Sequence, residues 1–242
     1  FLYSNTATTG GGVYNASGLL SGQVITAAYN SATTGGGFYN DSSGQLSLQR
    51  GVVLSNTAST SGGGLHNTGA LTVVNTIVAG NTVASGNGGG LYNQSANLTL
   101  RHDTFYANSA SGQGGGIYHN SASSSPIINS TLIVSNTAGS DGTGIHSAGA
   151  NPAFDYNDVY GNTSSGVSGV GNISADPHFI STGPASGNFL RILDGSPAED
   201  AADPNSPVTD DIDGDPRPSN QGFDIGVDEI GGCYVRNPRL NR

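Results

Sequence analysis

The sequence predicts an all-β protein, a right-handed parallel β-helix with three short strands per coil and an irregular C-terminal cap. The first observation is a glycine-rich repeat whose leading glycines lie 25, 27, 26, 26 and 28 residues apart. These glycines are Gly10, Gly35, Gly62, Gly88, Gly114 and Gly142. A fixed period of this length is typical of solenoids, in which each unit completes its core by stacking on its neighbours. The second observation is a scarcity of helix formers, with no Lys, Met or Trp in the chain, which argues against long helices.

A second signature, an apolar residue followed three positions later by Asn, recurs with the same period. Its asparagines are Asn5, Asn30, Asn56, Asn81, Asn108, Asn136 and Asn162. Parallel stacking places equivalent residues above one another, so we expect these side chains to form a hydrogen-bonded ladder. Between the two signatures lie short alternating runs such as Leu71-Thr72-Val73, the pattern of a strand. The period therefore predicts six to seven coils over residues 1–165.

The residues after each glycine repeat predict one inward and one outward column. The inward column is Val13, Phe38, Leu65, Leu91, Ile117 and Ile145. The adjacent positions then face outward, because side chains alternate along a strand; they are Tyr14, Tyr39, His66, Tyr92, Tyr118 and His146. Such a stripe of rings could bind a glycan chain through the ring faces, or its rings could pack on one another and stabilise the sheet. The pattern favours packing.

The paired signatures resemble the GGA[ILV] and FxxN repeats of the polymorphic outer-membrane protein family. Here Gly or Thr replaces the Ala of the first motif, and Leu, Val or Ile often replaces the Phe of the second. The resemblance covers the coil region and implies a parallel β-helix passenger region displayed on a bacterial surface.

After Asn162 the period ends, and Pro and Asp accumulate. We expect residues 166–230 to form the cap, because the end of a solenoid exposes strand edges that need cover, and 231–242 to lead to a possible anchor. Within the cap, Arg217 is expected to form an ion-pair cluster with Asp213 and Asp215. The motifs DPHF at 176–179, GSPAEDA at 195–201 and DIDGDPRP at 211–218 look like the choice-of-anchor Q domain of secreted bacterial β-helix proteins. That resemblance implies a secreted, extracellular or cell-surface location.

Charge and cysteine content exclude several classes of protein. The formal net charge is −10, and no basic patch is present, which argues against nucleic acid as a partner. No apolar stretch is long enough to span a bilayer, so no transmembrane segment is expected. The single cysteine, Cys233, excludes an internal disulfide, and its role as a free thiol or a link between chains stays open.

Two groups of residues are weak candidates for chemistry. Alignment on the asparagine signature places Arg50, Asn75 and His102 in one column, with Asp103 beside it. Glycoside hydrolysis requires two carboxyl groups within about 5–10 Å, whereas the few acids of the coils lie at different places in the repeat. Enzymatic activity is therefore not favoured.

The second group, Asp211, Asp213 and Asp215, resembles part of a calcium loop because Ca²⁺ prefers several closely spaced oxygen ligands. The full twelve-residue pattern is missing and Pro216 interrupts it. A solvated acidic turn is the favoured interpretation, and no cofactor is expected.

Phe1 begins in the middle of a coil and leaves an apolar face at the start of the stack. Either further coils precede it, the default expectation, or another subunit covers it, and head-to-tail contacts of that kind build filaments. The sequence as a whole predicts a non-enzymatic secreted or cell-surface β-helix, acting as a structural, adhesive or filament-forming module of a bacterial envelope. The alternative is a carbohydrate-active β-helix, similar to a polysaccharide lyase or hydrolase, or a glycan-binding one.

Overall fold

A computed structural model describes residues 1–122, 126–165 and 167–231. Within these residues there is no helix, and parallel strands stack into a β-solenoid of about six turns. Three sheets match the three strands predicted per coil, so the right-handed parallel β-helix is confirmed. Cys233 and residues 232–242 of the expected tail lie outside the described residues.

The first sheet contains the seven strands that precede the seven asparagines of the second signature. They are Leu2–Tyr3, Thr26–Ala28, Val52–Leu54, Ile77–Ala79, Thr104–Tyr106, Leu132–Val134 and Asp158–Tyr160. The second sheet follows those asparagines. Its strands are Ser31–Thr34, Thr57–Ser61, Thr82–Val83, Ser109–Ala110 and Thr137–Ala138.

The third sheet begins with two long strands, Val13–Gln23 and Phe38–Gln49, and each later coil divides this side by a bend into two arms. The arm after the glycine repeat contains Leu65–Asn67, Leu91–Asn93, Ile117–His119, Ile145–Ser147 and Ser164–Ser165. The other arm contains Ala70–Val74, Leu98–Arg101, Ile127–Asn129 and Ala153–Asp155. The alternating runs identified in the sequence lie in this second arm or, in the second coil, in its continuation.

The predicted inward column is confirmed by the register. Val13 pairs with Phe38, Phe38 with Leu65, and the pairing continues coil by coil to Ile145. These side chains join one continuous apolar core, in which Leu91 and Ile117 are fully buried. The core lies inside the coil, so it leaves only the outer faces of the sheets for function.

The glycine repeat forms a corner at which coils touch backbone to backbone. Gly88 has φ +73°, a left-handed conformation that glycine adopts without steric cost. A Cβ on the next residue, Gly89, would lie 2.6 Å from the carbonyl oxygen of Ser109. The triplet is therefore required by the closeness of successive coils at this corner.

The C-terminal region divides into two parts. Residues 167–175 continue the last coil, where Val159 donates its backbone N–H to Ile173 O at 3.0 Å. Residues 176–230, here called the flank segment, lie across the outer face of the first sheet, where Leu190 and Ile212 join a buried cluster with Ile77. This placement differs from the sequence expectation, which put all of 166–230 over the end of the stack.

The flank segment lies there because the outer face of the first sheet is apolar. Its outward side chains include Leu54, Ile77, Ala79, Tyr106, Leu132 and Val134. A parallel sheet of this composition is stable when both faces are covered. The interior of the coil covers one face, and the flank segment covers the other.

Candidate functional site

The six outward rings, here called the ring stripe, form a stack that runs along the third sheet. Tyr39 and His66 lie 4.7 Å apart between ring centroids with planes 4° apart, and His66 and Tyr92 lie at the same distance with planes 13° apart. The stack continues to Tyr118 at 5.1 Å and to His146 at 5.6 Å. Only the first pair, formed by Tyr14 and Tyr39, is tilted, by 45°.

This stacking leaves little ring face for a ligand. Each inner ring has a neighbour on both faces, so only ring edges remain open, and His66 and Tyr118 are each only 7% exposed. Burial lowers the pKa of His66 from 6.5 to about 4, and its Nδ1 lies 3.0 Å from Ser61 Oγ. The geometry supports the packing interpretation rather than a glycan platform.

The corner column of candidate catalytic residues lies beneath the flank segment. Arg50, Asn75 and His102 have φ of 54°, 50° and 51°, so one left-handed residue turns each coil from the third sheet into the first. His102 is fully buried, with Nδ1 3.0 Å from the carbonyl oxygen of Asp224 and Nε2 2.7 Å from Ser206 Oγ. Its surroundings hold the pKa of His102 well below the ordinary value, chiefly through burial.

Asp103 lies beside this column and is also fully buried. Its carboxylate accepts the backbone N–H of Thr76 at 2.9 Å and of Arg101 at 3.1 Å, and burial raises its pKa well above the ordinary value. Neither His102 nor Asp103 reaches solvent. Both side chains therefore support the corner from a buried position.

The acidic candidates for calcium already have other partners. Asp211 Oδ1 accepts the backbone N–H of residues 213, 214 and 215, each at 2.8 Å. The carboxylates that converge are those of Asp211, Asp213 and Asp228, with Asp228 in the place expected for Asp215. Arg191 lies among them, with Nε 2.7 Å from Asp213 and 3.6 Å from Asp228. A guanidinium in that position does not fit a calcium site, because it repels a second cation.

The predicted cluster of Arg217 with Asp213 and Asp215 is wrong. Arg217 forms a fully buried ion pair with Glu229 at 2.7 Å and donates to the backbone oxygens of Asp224 and Gly226 at 3.0 and 2.7 Å. The prediction paired Arg217 with the acidic residues nearest to it along the chain. In the structure the turn at 211–215 leaves the Arg217 side chain in the interior of the flank segment, where it is buried. Burial, with the nearby Glu229, raises the pKa of Asp224 to about 7.

A groove that the sequence analysis missed runs between the third sheet and residues 207–210 of the flank segment, with a volume of about 350 Å³. Its sheet wall is Gln23, Val24, Gln49, Arg50, Thr72, Val74, Asn75, Thr99 and Arg101. Arg50 and Arg101 are the only Arg or Lys residues within 1–165. The polar outward positions of the alternating runs were a signal for this surface, but its second wall depends on where the flank segment lies.

No family model, curated protein or solved structure matches the chain. The parallel β-solenoid is therefore established by the structure itself, and the resemblances to the polymorphic outer-membrane proteins and to the choice-of-anchor Q domain remain expectations from motifs. Among the described residues, no helix is long and apolar enough to cross a membrane.

Proposed function

We propose that the protein is a non-enzymatic, secreted or cell-surface β-helix that serves as a structural or adhesive module of a bacterial envelope. The observation that carries this proposal is the complete burial of His102 and Asp103, the candidate acid–base groups. A general acid or base must come within hydrogen-bond reach of its substrate. The surface and envelope parts of the proposal are supported by the motif resemblances alone.

The proposal is tested by incubating the purified protein with acidic and neutral polysaccharides and measuring new reducing ends and unsaturated products. We expect no turnover above that of heat-unfolded protein. Turnover that is lost in His102→Gln, with the fold retained by circular dichroism, would overturn the non-enzymatic assignment.

Self-association is a second part of the proposal. The first coil presents Leu2–Tyr3 and Val13–Gln23 as the outermost strands of their sheets, and Tyr3 and Leu19 are 61% and 72% exposed. A second copy, or further coils of the same kind, would pair with these edges.

Sedimentation velocity over a range of concentrations tests this contact. Val13→Asp places a charge in the column at the first coil and is expected to shift any assembly to monomer, whereas Thr82→Asp on an exposed side position leaves it unchanged. A wild-type protein that is monomeric at all concentrations would remove self-association from the proposal.

A further inference from the structure

We propose that the groove between the third sheet and residues 207–210 binds a linear acidic saccharide, with Arg101 as the principal contact for its carboxylate. This inference goes beyond the scaffold function, because it depends on the groove and not on where the protein is located. The groove is separate from the ring stripe, which follows the other arm of the third sheet.

The charges in the groove favour an anionic ligand. Among the described residues, no acidic group lies within ion-pair distance of Arg101. Arg50 has a long contact of 3.8 Å to Asp210, and its Nε donates to Ile212 O at 3.1 Å. In a chain of net charge −10, an accessible guanidinium without a carboxylate is the natural contact for an external one.

One residue that lines the groove carries a hydrogen-bond acceptor without a partner among the described residues. Asn75 is 1% exposed and donates its Nδ2 to the carbonyl oxygen of Asp210 at 2.7 Å. Its Oδ1 has no hydrogen-bond partner among the described residues. A buried acceptor without a partner is costly, and because this oxygen is shielded from solvent, a ligand hydroxyl satisfies it only when the Asn75 side chain turns towards the groove. A saccharide offers both hydroxyl donors and a carboxylate.

The sheet wall of the groove suits a chain of repeating polar units. Equivalent residues of successive coils form rows that run along the axis of the helix, with a spacing of about 4.8 Å. One row contains Gln23 and Gln49, and the neighbouring row contains Thr72 and Thr99. Gln23 already donates to Gln49 at 2.9 Å, so these amides are aligned along the stack. Hydroxyl and amide groups at a regular spacing match successive sugar residues.

An acidic peptide is the competing ligand, and the geometry argues against it. Extended peptides bind by adding a strand to a sheet edge, with main-chain hydrogen bonds supplying the affinity. The wall of this groove is the face of a sheet whose strands are paired on both sides at Thr72 and Thr99. It therefore offers side chains, and not unpaired backbone groups.

Isothermal titration calorimetry with a galacturonate hexamer tests the proposal on the full chain. We expect saturable binding at about 50 mM NaCl that weakens as salt increases. A neutral glucan hexamer should bind about tenfold more weakly, and poly-glutamate of similar length should show no saturable binding. Equal affinity for the acidic and neutral hexamers, no binding of the acidic hexamer, or tighter binding of poly-glutamate would each overturn the proposal.

Variants locate the site. Arg101→Gln should weaken galacturonate binding about tenfold, whereas Arg101→Lys keeps the charge and should retain most of it. Gln94→Glu changes the net charge of the protein by the same amount as Arg101→Gln at an exposed position outside the groove, and should leave binding close to that of wild type. Thermal unfolding checks that each variant is folded, and equal binding by Arg101→Gln and Gln94→Glu would contradict the assignment. These binding measurements do not depend on where the protein is located or on whether it turns over a substrate. The binding proposal can therefore fail while the scaffold proposal stands, and the scaffold proposal can fail while the binding proposal stands.

Discussion

At the scale of single residues, asparagine stabilises each turn of this helix. Asn81 is fully buried; its Oδ1 accepts both the backbone N–H and the side-chain Nδ2 of Asn56, and its Nδ2 donates to Asn108 Oδ1 and to Val53 O. Aspartate lacks the donor, and glutamine is longer by one methylene group. One side-chain amide per coil thus satisfies backbone groups at the corner that would otherwise be buried without partners.

We expect Asn81→Ala to lower the free energy of unfolding by about 2–4 kcal/mol. The substitution removes the acceptor of a buried backbone N–H and leaves Asn56 Nδ2 and Asn108 Oδ1 each short of a partner. Urea denaturation followed by circular dichroism measures the loss. Thr82→Ala, at an exposed position of the same coil, should change the unfolding free energy by less than about 0.5 kcal/mol, and a similar loss in both variants would contradict the role of the ladder.

The stability that the ring stripe contributes depends on pH because of His66. Its pKa falls from the ordinary value of 6.5 in the unfolded chain to about 4 in the folded protein, so the unfolded chain binds a proton in this interval that the folded chain does not. Stability contributed by the neutral ring is therefore present above pH 6.5 and is lost as pH falls towards 4.

His66→Tyr should remove this dependence, because tyrosine occupies the equivalent position in neighbouring coils. Between about pH 7 and pH 5 the wild type should lose about 1–2 kcal/mol more of unfolding free energy than the variant. Denaturant titrations at the two pH values provide the comparison, and His178→Tyr at an exposed position serves as control. Parallel pH profiles of wild type and His66→Tyr would show that the ring does not titrate as described.

At the scale of elements, the glycine corner and the two stacked columns follow from the period of the sequence. Val13 and its equivalents could be placed inside, and the rings outside, because a constant period fixes the register of every coil once one strand is assigned. The asparagine ladder was predictable for the same reason. Predicting these features requires only the local sequence and the rule that equivalent residues of successive coils stack on one another.

The position of the flank segment could not be predicted in this way. Residues 176–230 have no period, and Ile212 reaches Arg50 across 162 positions of the chain. The signal that was overlooked lies in the coils: Ile77 and Leu132 face outward from the first sheet in a protein whose other outward positions are mostly polar. Because the groove has one wall from each part, it was missed together with the flank segment.

We expect Gly89→Ala to prevent stable folding or to lower the unfolding free energy by more than about 3 kcal/mol. The new Cβ would contact the backbone oxygens of Gly115 and Ser109, and both atoms are fixed by the stacking of the coils, so the strain has little means of relaxation. Far-ultraviolet circular dichroism and thermal unfolding measure the effect. Gly187→Ala, where a Cβ meets nothing within 4 Å, should be tolerated, and equal stability of both variants would contradict the close approach of coils at this corner.

At the scale of the whole molecule, a solenoid is expected to behave as a row of units that interact only with their neighbours. The flank segment changes this behaviour, because it contacts the corner residues Arg50, Asn75 and His102 on three successive coils. Its apolar side chains also reach the next coil at Leu132. Coils far apart in the chain are therefore held by one segment.

Hydrogen exchange followed by mass spectrometry tests this coupling. We expect amides of the first sheet in 52–54, 77–79, 104–106 and 132–134 to exchange together at a rate close to that of global unfolding. Those of Leu2–Tyr3 should exchange faster, because the apolar clusters that join the described part of the flank segment to this sheet do not include that strand. Ile212→Asp should release the second coil first. A smooth gradient of protection from one end of the stack to the other in the wild type would contradict the coupling.

The same attachment determines how the protein would respond to mechanical force. A tensile load along the axis of a simple stack acts on all its interfaces in series, so the coils open one at a time, beginning at the weakest interface. Here the flank segment contacts Arg50, Asn75 and His102 on successive coils, so a load along the axis also acts on these contacts in shear. The coils that the flank segment joins are therefore expected to resist pulling as one unit, whereas the first coil lies outside these contacts and should open separately.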